Sequence, residues 1–142
     1  MTADTPASRD EPPEGGEVPP IPDAGDVPFD PTVLQHAARP DGVGPRELPE
    51  LLGRVEGHLC TCRDRLRRQF ERAHRDETRE LFFVPPDYWE GAASVLSLTQ
   101  RETQAVQRAH ERQLLRIGAE TRRGAEFDAA LDIRTAVVVS RA

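Results

Sequence analysis

Apolar side chains recur at every third or fourth position between residues 49 and 76, which is the spacing of one face of a helix. Proline suits the first turn of a helix and fits poorly deeper in it, so the start is placed at Pro49. Because nothing interrupts the spacing, the pattern predicts a single long helix over residues 49–76. The apolar positions on its face are Leu52, Val55, Leu59, Cys62, Leu66, Phe70 and Ala73.

Three other segments carry signals for the start of a helix. Asp30 before Pro31 is typical of an N-cap followed by the first helical residue, and it predicts a short helix over residues 32–38. A glutamate follows three positions after both Asp87 and Thr99, which is the spacing of a capping box. We therefore expect two further helices, over residues 88–98 and 100–122.

Two segments have the character of strands. Residues 80–86, ELFFVPP, are apolar on both alternating faces and end at two prolines, which favours a buried strand. Residues 133–141, IRTAVVVSR, contain a β-branched run that predicts a closing strand. Because two short strands make a marginal sheet, they should pair with each other or with another copy of the chain. The C-terminal strand carries few features that block pairing, so we expect a homo-oligomer.

These elements predict an α+β fold, a helix-dominated small domain with two short β-strands over residues 31–142. A disordered, acidic, proline-rich tail is expected over residues 1–30, because that segment has too few large apolar side chains to offset the entropy of ordering. The tail holds eight acids and one arginine, and the remaining residues hold 17 acids and 18 arginines. The formal charge of −6 is therefore concentrated in the tail, as a solubilising leader or an acidic interaction arm.

The amino-acid composition indicates the cellular compartment of the protein more than it indicates any chemical activity. All 19 basic residues are arginines, asparagine is missing, and alanine, glycine and proline are heavily used, which is typical of a high-GC prokaryote. Two cysteines are too few for a disulfide scaffold. There is no signal peptide pattern and no apolar run of about 18 residues. We predict a cytoplasmic protein with no membrane partner.

The stretch HLCTCRDRLRRQF, residues 58–70, brings a histidine and two cysteines close together. On a helix, Cys60 and Cys62 diverge by about 160°, so they can neither share a metal ion nor form a disulfide. Cys62 lies in the apolar face and is expected to be a small buried side chain, whereas Cys60 should point away from it. His58 and Cys62 could supply two metal ligands, but a structural zinc site needs about four. The sequence therefore predicts no metal site and no cofactor.

His110 lies on one face of the predicted 100–122 helix together with Val106, Leu114 and Ile117. It could act as a general base or a pH-sensitive hinge. We favour a buried polar core histidine whose ring nitrogens find a backbone or side-chain partner. No catalytic serine or glycine-rich phosphate loop accompanies it, so no catalytic residues are predicted and the protein is expected not to be an enzyme.

Tyr88 and Trp89, the only tyrosine and tryptophan, follow the two prolines that end the first strand. They could line a ligand pocket, but anchoring of the core is the favoured interpretation.

Arginines form a second pattern opposite the apolar faces of the two long helices. Such stripes could grip phosphates, but acids are interleaved at helical spacing, as in Asp64 with Arg68 and Glu71 with Arg75, which is typical of a solvated face. Glu111 lies beside two more of these arginines. The candidate nucleic-acid residues are Arg65, Arg68, Arg72, Arg75, Arg108, Arg112 and Arg116, with Arg54, Arg101 and Arg123 extending the stripes.

Residues 84–85, Val-Pro, with Trp89 four positions on, then Leu98 and the stretch AVQRAHERQLLRIG, carry a resemblance. Over about residues 50–140 the chain resembles a group of uncharacterised small haloarchaeal proteins. The resemblance implies an α+β domain with no assigned activity and no catalytic residues to carry over.

The favoured hypothesis is a small cytoplasmic interaction or structural domain that self-associates without catalysis. The alternative is an arginine-mediated regulatory protein that binds nucleic acid, with the acidic tail competing for the arginines. A small-molecule or metal site at His110 or at His58 and Cys62 is a third possibility. Arginines that share one exposed surface would favour nucleic acid, and arginines paired with acids would favour the interaction domain.

Overall fold

The computed structural model describes residues 27–37, 43–44 and 46–141. The predicted tail lies outside the described residues except for residues 27–30. Val27 and Phe29 in that segment are buried in the core, so the packed body already includes Val27, four residues before the predicted domain start.

Six helices and three strands make up the described residues and confirm the predicted helix-dominated α+β class. The helices are α1 (Pro31–Ala37), α2 (Glu47–Thr61), α3 (Arg63–Gln69), α4 (Tyr88–Leu96), α5 (Gln100–Glu120) and α6 (Gly124–Ala130). The strands are β1 (Glu71–Arg75), β2 (Arg79–Val84) and β3 (Thr135–Ser140).

The strands form one antiparallel sheet in the order β1-β2-β3. The two predicted strands, β2 and β3, pair with each other along their whole length, with Leu81 opposite Val138. β1 was not predicted, so the sheet has three strands where two were expected. β1 pairs with β2 through a register shift between Arg72 and His74, which is a bulge-type irregularity at this edge.

The predicted single helix over residues 49–76 is interrupted at Cys62. The backbone N–H of Cys62 donates to the carbonyl of Leu59 at 2.9 Å, three residues back, and the Thr61 hydroxyl donates to the carbonyl of His58 at 2.6 Å. These local bonds occupy carbonyls of the last turn and end α2. The chain then resumes as α3, so the interpretation of an unbroken helix was wrong.

The same prediction was wrong at its C-terminal end, because the residues after Gln69 join the sheet. Phe70 is extended, with φ −126° and ψ 155°. A side-chain oxygen of Asp76 accepts hydrogen bonds from the N–H groups of Thr78 at 2.9 Å and Arg79 at 3.0 Å, which makes the tight turn between β1 and β2. Ala73 is buried as expected, but from a strand.

The N-terminal signals of the later helices are confirmed at Thr99 and only in part at Asp87. Thr99 and Glu102 form both reciprocal bonds of a capping box at the start of α5. Asp87 occupies the N-cap of α4, but its side chain makes no capping bond. Each helix therefore begins where the spacing placed it.

Asp30 connects the N-terminal segment to α5. Its carbonyl accepts from Val33 and Leu34 in the first turn of α1, while its carboxylate accepts from Gln113 at 3.0 Å and from Arg116 at 2.9 Å. The position before α1 was predicted correctly. Its side chain bonds across the fold rather than to the helix that it begins.

The core lies where α2, α4 and α5 pack around β3 and β2. β3 is buried throughout, from Thr135 at 1% exposed to Val139 at 0%. Trp89 is 1% exposed, which confirms it as a core anchor, whereas Tyr88 is only half-buried. The largest fully buried side chains include Trp89, Phe82, Phe127, Leu114 and Ile117.

A close contact joins α5 to α6. A Cβ added at Gly118 would lie 2.8 Å from the ring of Phe127, so only glycine fits there without a shift. The Arg123 N–H donates back to the Gly118 carbonyl at 2.7 Å, with Arg122 in the left-handed region at φ 62°. This is the pattern of a Schellman ending, and it turns the chain sharply into α6.

Candidate functional site

The predicted arginine stripe of the first long helix does not exist as one surface. Arg65 and Arg68 are exposed on α3, but Arg72 and Arg75 lie in β1 because the helix ends before them. Arg72 approaches the carboxylate of Glu80 at 3.6 Å. The four arginines therefore belong to two elements, and Arg72 forms an ion pair with a glutamate of the sheet.

Glu80 is a buried carboxylate on the central strand, 1% exposed. Arg67 of α3 donates to both of its oxygens, with its Nε 3.1 Å from each. The hydrogen bonds from Arg67 lower the pKa of Glu80, and the charges of Arg72 and Arg75 act in the same direction. Arg67 was absent from the predicted stripes, and nothing in the spacing of the sequence points to Glu80 as its partner.

The arginines of α5 are divided between structural roles and solvent. Arg108 donates to the carbonyl of Ala37 at 3.0 and 2.9 Å, which holds the end of α1. Arg116 bonds to Asp30, and Arg123 donates to Glu126 at 2.7 Å. Arg112 is exposed. This second stripe is therefore also not a free cationic surface.

The acid–arginine pairs that the helical spacing suggested are replaced by others. Asp64 lies 3.7 Å from Arg67, and Glu71 pairs with Arg134 at 2.8 Å. Glu111 accepts from Gln107 at 3.0 Å and from the hydroxyl of Thr135 at 2.6 Å. Among the candidate arginines that the structure describes, Arg65, Arg68, Arg75 and Arg112 remain exposed without an ion pair.

The free edge of β3 is closed by side chains from the helices beside it. The Val138 N–H donates to Nδ1 of His110 at 2.8 Å, and the Ser140 N–H donates to Glu56 at 3.2 Å. Arg63 donates to the Ser140 carbonyl at 2.9 Å. These backbone groups are not available to another strand, so the expectation that this edge carries few blocking features is wrong. Self-association through a different surface stays a prediction.

His110 is fully buried, and the expected hydrogen-bond partner is found for Nδ1 but not for Nε2 among the described residues. Burial lowers the pKa of His110 to about 3, so the ring is neutral. Because Nδ1 accepts a hydrogen bond, the ring proton resides on Nε2. Trp89 packs on the ring with centroids 4.6 Å apart, and Phe29 with centroids 4.8 Å apart. Within the described part of the chain, neither His110 Nε2 nor Trp89 Nε1 finds a partner.

Cys60 belongs to the same closed edge. Its thiol donates to Glu56 at 3.0 Å, and Arg63 approaches the sulfur at 3.0 Å. Burial, and then the bond to Glu56, raise the pKa of the Cys60 thiol, which disfavours the reactive thiolate. Cys60 therefore packs toward the sheet, contrary to the expectation that it points away. The four-residue spacing between Glu56 and Cys60 could have indicated their contact. The contact of Cys60 with the hydroxyl of Ser140, at 3.7 Å, left no such signal in the sequence.

A groove opens on the other side of the α2–α3 junction, facing α4. It has a volume of about 380 Å³. Phe70 and Tyr88 line it with their rings edge to face, 5.9 Å between centroids, and burial raises the pKa of Tyr88 to about 12. Val95, also in the lining, is 66% exposed. The groove thus combines aromatic rings with an exposed aliphatic side chain.

The polar lining of this groove comes mainly from α2 and α3. Cys62 is half-buried there, with its sulfur 3.9 Å from Nε2 of His58. Arg65 contributes a guanidinium, and Asp87 the one carboxylate among the described lining residues. Both cysteines are free, and they face opposite sides of the junction. Sequence spacing placed His58 and Cys62 on one side of a helix correctly, but it did not indicate a groove.

Among the described residues, no three histidine, cysteine, aspartate or glutamate side chains converge as they would around a metal ion. None of the described helices has the length and apolar character that crossing a bilayer requires.

Comparison with known proteins gives a family and no activity. No curated protein and no solved structure matches the chain significantly. The haloarchaeal source that the resemblance implied stays a prediction. One family model, that of a domain of unknown function named DUF8048, matches residues 27–141. This range begins at the buried Val27 and takes in every helix and strand described above, so the chain belongs to the DUF8048 family.

Proposed function

We propose that the protein is a cytoplasmic interaction domain without catalytic activity, and that it binds an acidic, extended polypeptide in the groove between α2–α3 and α4. The composition of the groove is the observation that carries this proposal. Exposed apolar surface lies beside a guanidinium with no ion-pair partner among the described residues. Exposed apolar surface of this kind marks interaction sites more often than it stabilises a free monomer.

The aromatic lining favours an extended segment over a helix or a globular face. Tyr88 and Phe70 meet edge to face, which leaves ring surface of the kind that proline-rich segments use for docking. Gly91 adds room, because a Cβ built there meets nothing within 4 Å. An arginine beside an aromatic surface is also a typical feature of interface hot spots.

The charge of the partner follows from the groove rim. Arg65 lies in the lining and Arg68 is exposed nearby on α3, whereas Asp87 is the single acid among the described lining residues. An acidic partner would complement these two guanidiniums.

The most reactive side-chain types outside the groove, a histidine and a cysteine, support a role without catalysis. His110 and Cys60 are both engaged in closing the edge of β3, and the ring of His110 is fully buried. The thiol of Cys60 is held protonated beside Glu56. These groups stabilise the sheet.

The proposal is tested by fluorescence anisotropy of a labelled peptide of alternating glutamate and proline with two leucines, titrated with the full chain. We expect a dissociation constant on the order of 10–100 µM at low salt, weakened by added salt. Arg65→Glu and Val95→Asp should each weaken binding about tenfold, because one reverses the rim charge and the other charges the apolar surface.

Arg101→Glu is the matched control, since Arg101 is an exposed arginine outside the groove, and it should change the affinity less than twofold. A lysine–proline peptide that binds equally well, or a groove variant that binds like the wild type, would contradict the proposal.

The nucleic-acid alternative has narrower support, because Arg72, Arg108 and Arg116 are engaged within the fold. Arg65, Arg68, Arg75 and Arg112 are the candidates still exposed without an ion pair among the described residues. Light scattering with a random-sequence duplex at low and moderate salt separates the two functions. A salt-sensitive complex that Arg112→Glu weakens as much as Arg65→Glu would favour the alternative.

A further inference from the structure

We propose that residues 10–22 of the same chain, DEPPEGGEVPPIP, occupy this groove, so that the protein carries its own competitor for partners. The inference rests on the proposed function, because it takes the groove to be a site for acidic extended segments. It goes further by naming the occupant. Residues 10–22 lie outside the described residues, and their sequence and the lining of the groove support this assignment.

The composition of this segment matches the groove in each respect. Its four acids are complementary to Arg65 and Arg68, and its five prolines favour the extended conformation that aromatic grooves accept. Val18 and Ile21 are its two large apolar side chains. Together with the prolines they can cover the surface around Tyr88 and Val95.

The described residues begin near the α2–α3 junction. Val27 and Ser140 line one surface depression, so the described chain begins beside the closed edge of β3. Ser140 in turn bonds to Arg63, and the groove lies across the α2–α3 junction from that contact. A helix with its side chains is about 10–12 Å across.

Fully extended, the intervening chain is about as long as one helix is wide. An extended chain advances about 3.1 Å per residue, so about four residues cross the width of one helix. Residues 23–26 supply those four positions between Pro22 and Val27. Residues 10–22 are thereby left to run along the groove.

A segment tethered this closely competes with a free peptide at a millimolar effective concentration. The test repeats the glutamate–proline peptide titration with two full-length chains, the wild type and a docking-segment variant. The variant combines Asp10→Asn, Glu11→Gln, Glu14→Gln, Glu17→Gln, Val18→Ser and Ile21→Ser. We expect the variant to bind the peptide five- to tenfold more tightly than the wild type, because the competing segment is removed.

The matched control neutralises three acids outside the segment, with Asp4→Asn, Asp23→Asn and Asp26→Asn, and should change the affinity less than twofold. Equal affinity in the wild type and the docking-segment variant would overturn the inference and leave the proposed function standing. An equal gain in the control would also overturn it, because general charge would then account for the effect. If neither chain binds the peptide, the proposed function itself fails.

The ratio of the two affinities should be the same at about 1 and about 50 µM protein, because a segment within one chain competes independently of concentration. A ratio that grows with concentration would assign the occupant to a second copy and would overturn the inference.

Discussion

Cys60 with Arg63 and Cys62 with Arg65 are the same pair of side chains at the same spacing, offset by two residues, yet they face opposite sides of the α2–α3 junction. On the first side, Arg63 donates to the sulfur of Cys60 and to the carbonyl of Ser140. On the second side, Cys62 lies in an open groove with Arg65, which forms no ion pair among the described residues.

The two sides of the junction differ because a strand, β3, packs against one and a helix, α4, packs against the other. β3 presents backbone groups without a strand partner to Glu56 and Arg63, which bond to them, and Cys60 bonds in turn to Glu56. Beyond its first turn α4 bonds its backbone groups within the helix, and no hydrogen bond joins its described backbone to Cys62 or Arg65. Similar residue types therefore stabilise the fold on one side and remain available for a partner on the other.

The largest expected effect is at the closed edge. His110→Ala removes the acceptor of the Val138 N–H and leaves a cavity against Trp89, so we expect the free energy of unfolding to fall by about 3–4 kcal/mol. Urea denaturation of both proteins measures it. His36→Ala, at an exposed position on α1, is the control and should cost less than about 0.5 kcal/mol. Similar losses in the two variants would mean that the edge is not specifically closed by His110.

The second effect is on the dependence of stability on pH. The pKa of His110 is lowered to about 3 in the fold, against 6.5 for an ordinary imidazole. Below about pH 6.5 the unfolded chain therefore binds a proton that the folded chain does not. The stability is complete above that pH and decreases by about 1.4 kcal/mol per unit as the pH falls toward 3.

Urea denaturation at about pH 6.5 and about pH 5 should therefore differ by about 2 kcal/mol. This window lies above the range in which carboxylates such as Glu80, whose pKa is lowered, take up protons. His110→Gln should flatten the slope, and an unchanged slope in that variant would assign it to other groups.

The smallest effect is a difference in thiol reactivity between the two sides. Cys60 has a raised pKa and is bonded to Glu56, whereas Cys62 lies in the groove. Limited labelling of the wild-type protein with a maleimide at neutral pH, followed by peptide mapping, should modify Cys62 about tenfold faster than Cys60. Equal rates, or faster labelling of Cys60, would remove the distinction between a closed and an open side.

The elements with strong local signals could be predicted from the sequence. α5 has a complete capping box at Thr99, and the β-branched run of β3 has no competing helical spacing. His110 was assigned to the core because its helical neighbours are apolar. These signals depend on residues within a few positions of each other, which is why one sequence was sufficient to find them.

β1 could not be predicted, because an edge strand needs few buried positions. Ala73 is its one buried residue, and Phe70 and Ala73 happen to continue the helical spacing of α2 and α3. The pairing with β2 and the turn at Asp76 decide the structure of this segment. Here tertiary hydrogen bonding outweighs a local period.

The two sides of the junction were also beyond sequence reasoning. Glu56 and Ser140 are 84 positions apart, and Arg67 and Glu80 lie in a helix and a strand whose packing against each other the sequence does not indicate. Predicting the lining of the groove would have required knowing that the chain breaks at Cys62, between α2 and α3. Contacts that depend on how separate elements pack leave no periodic trace in a single sequence.

The corner between α5 and α6 sets a limit on how this fold can diversify. Because a Cβ at position 118 would lie 2.8 Å from the ring of Phe127 and 3.2 Å from the Gly124 Cα, the glycine is required wherever the ring and the corner are kept. A relative that keeps the corner should keep both the glycine and an aromatic ring nine residues later. A relative that has lost the glycine should also have lost the ring or carry an insertion that moves α6 away. The segment GAETRRGAEF is thus a lineage marker for this fold, independent of the groove and of its partners.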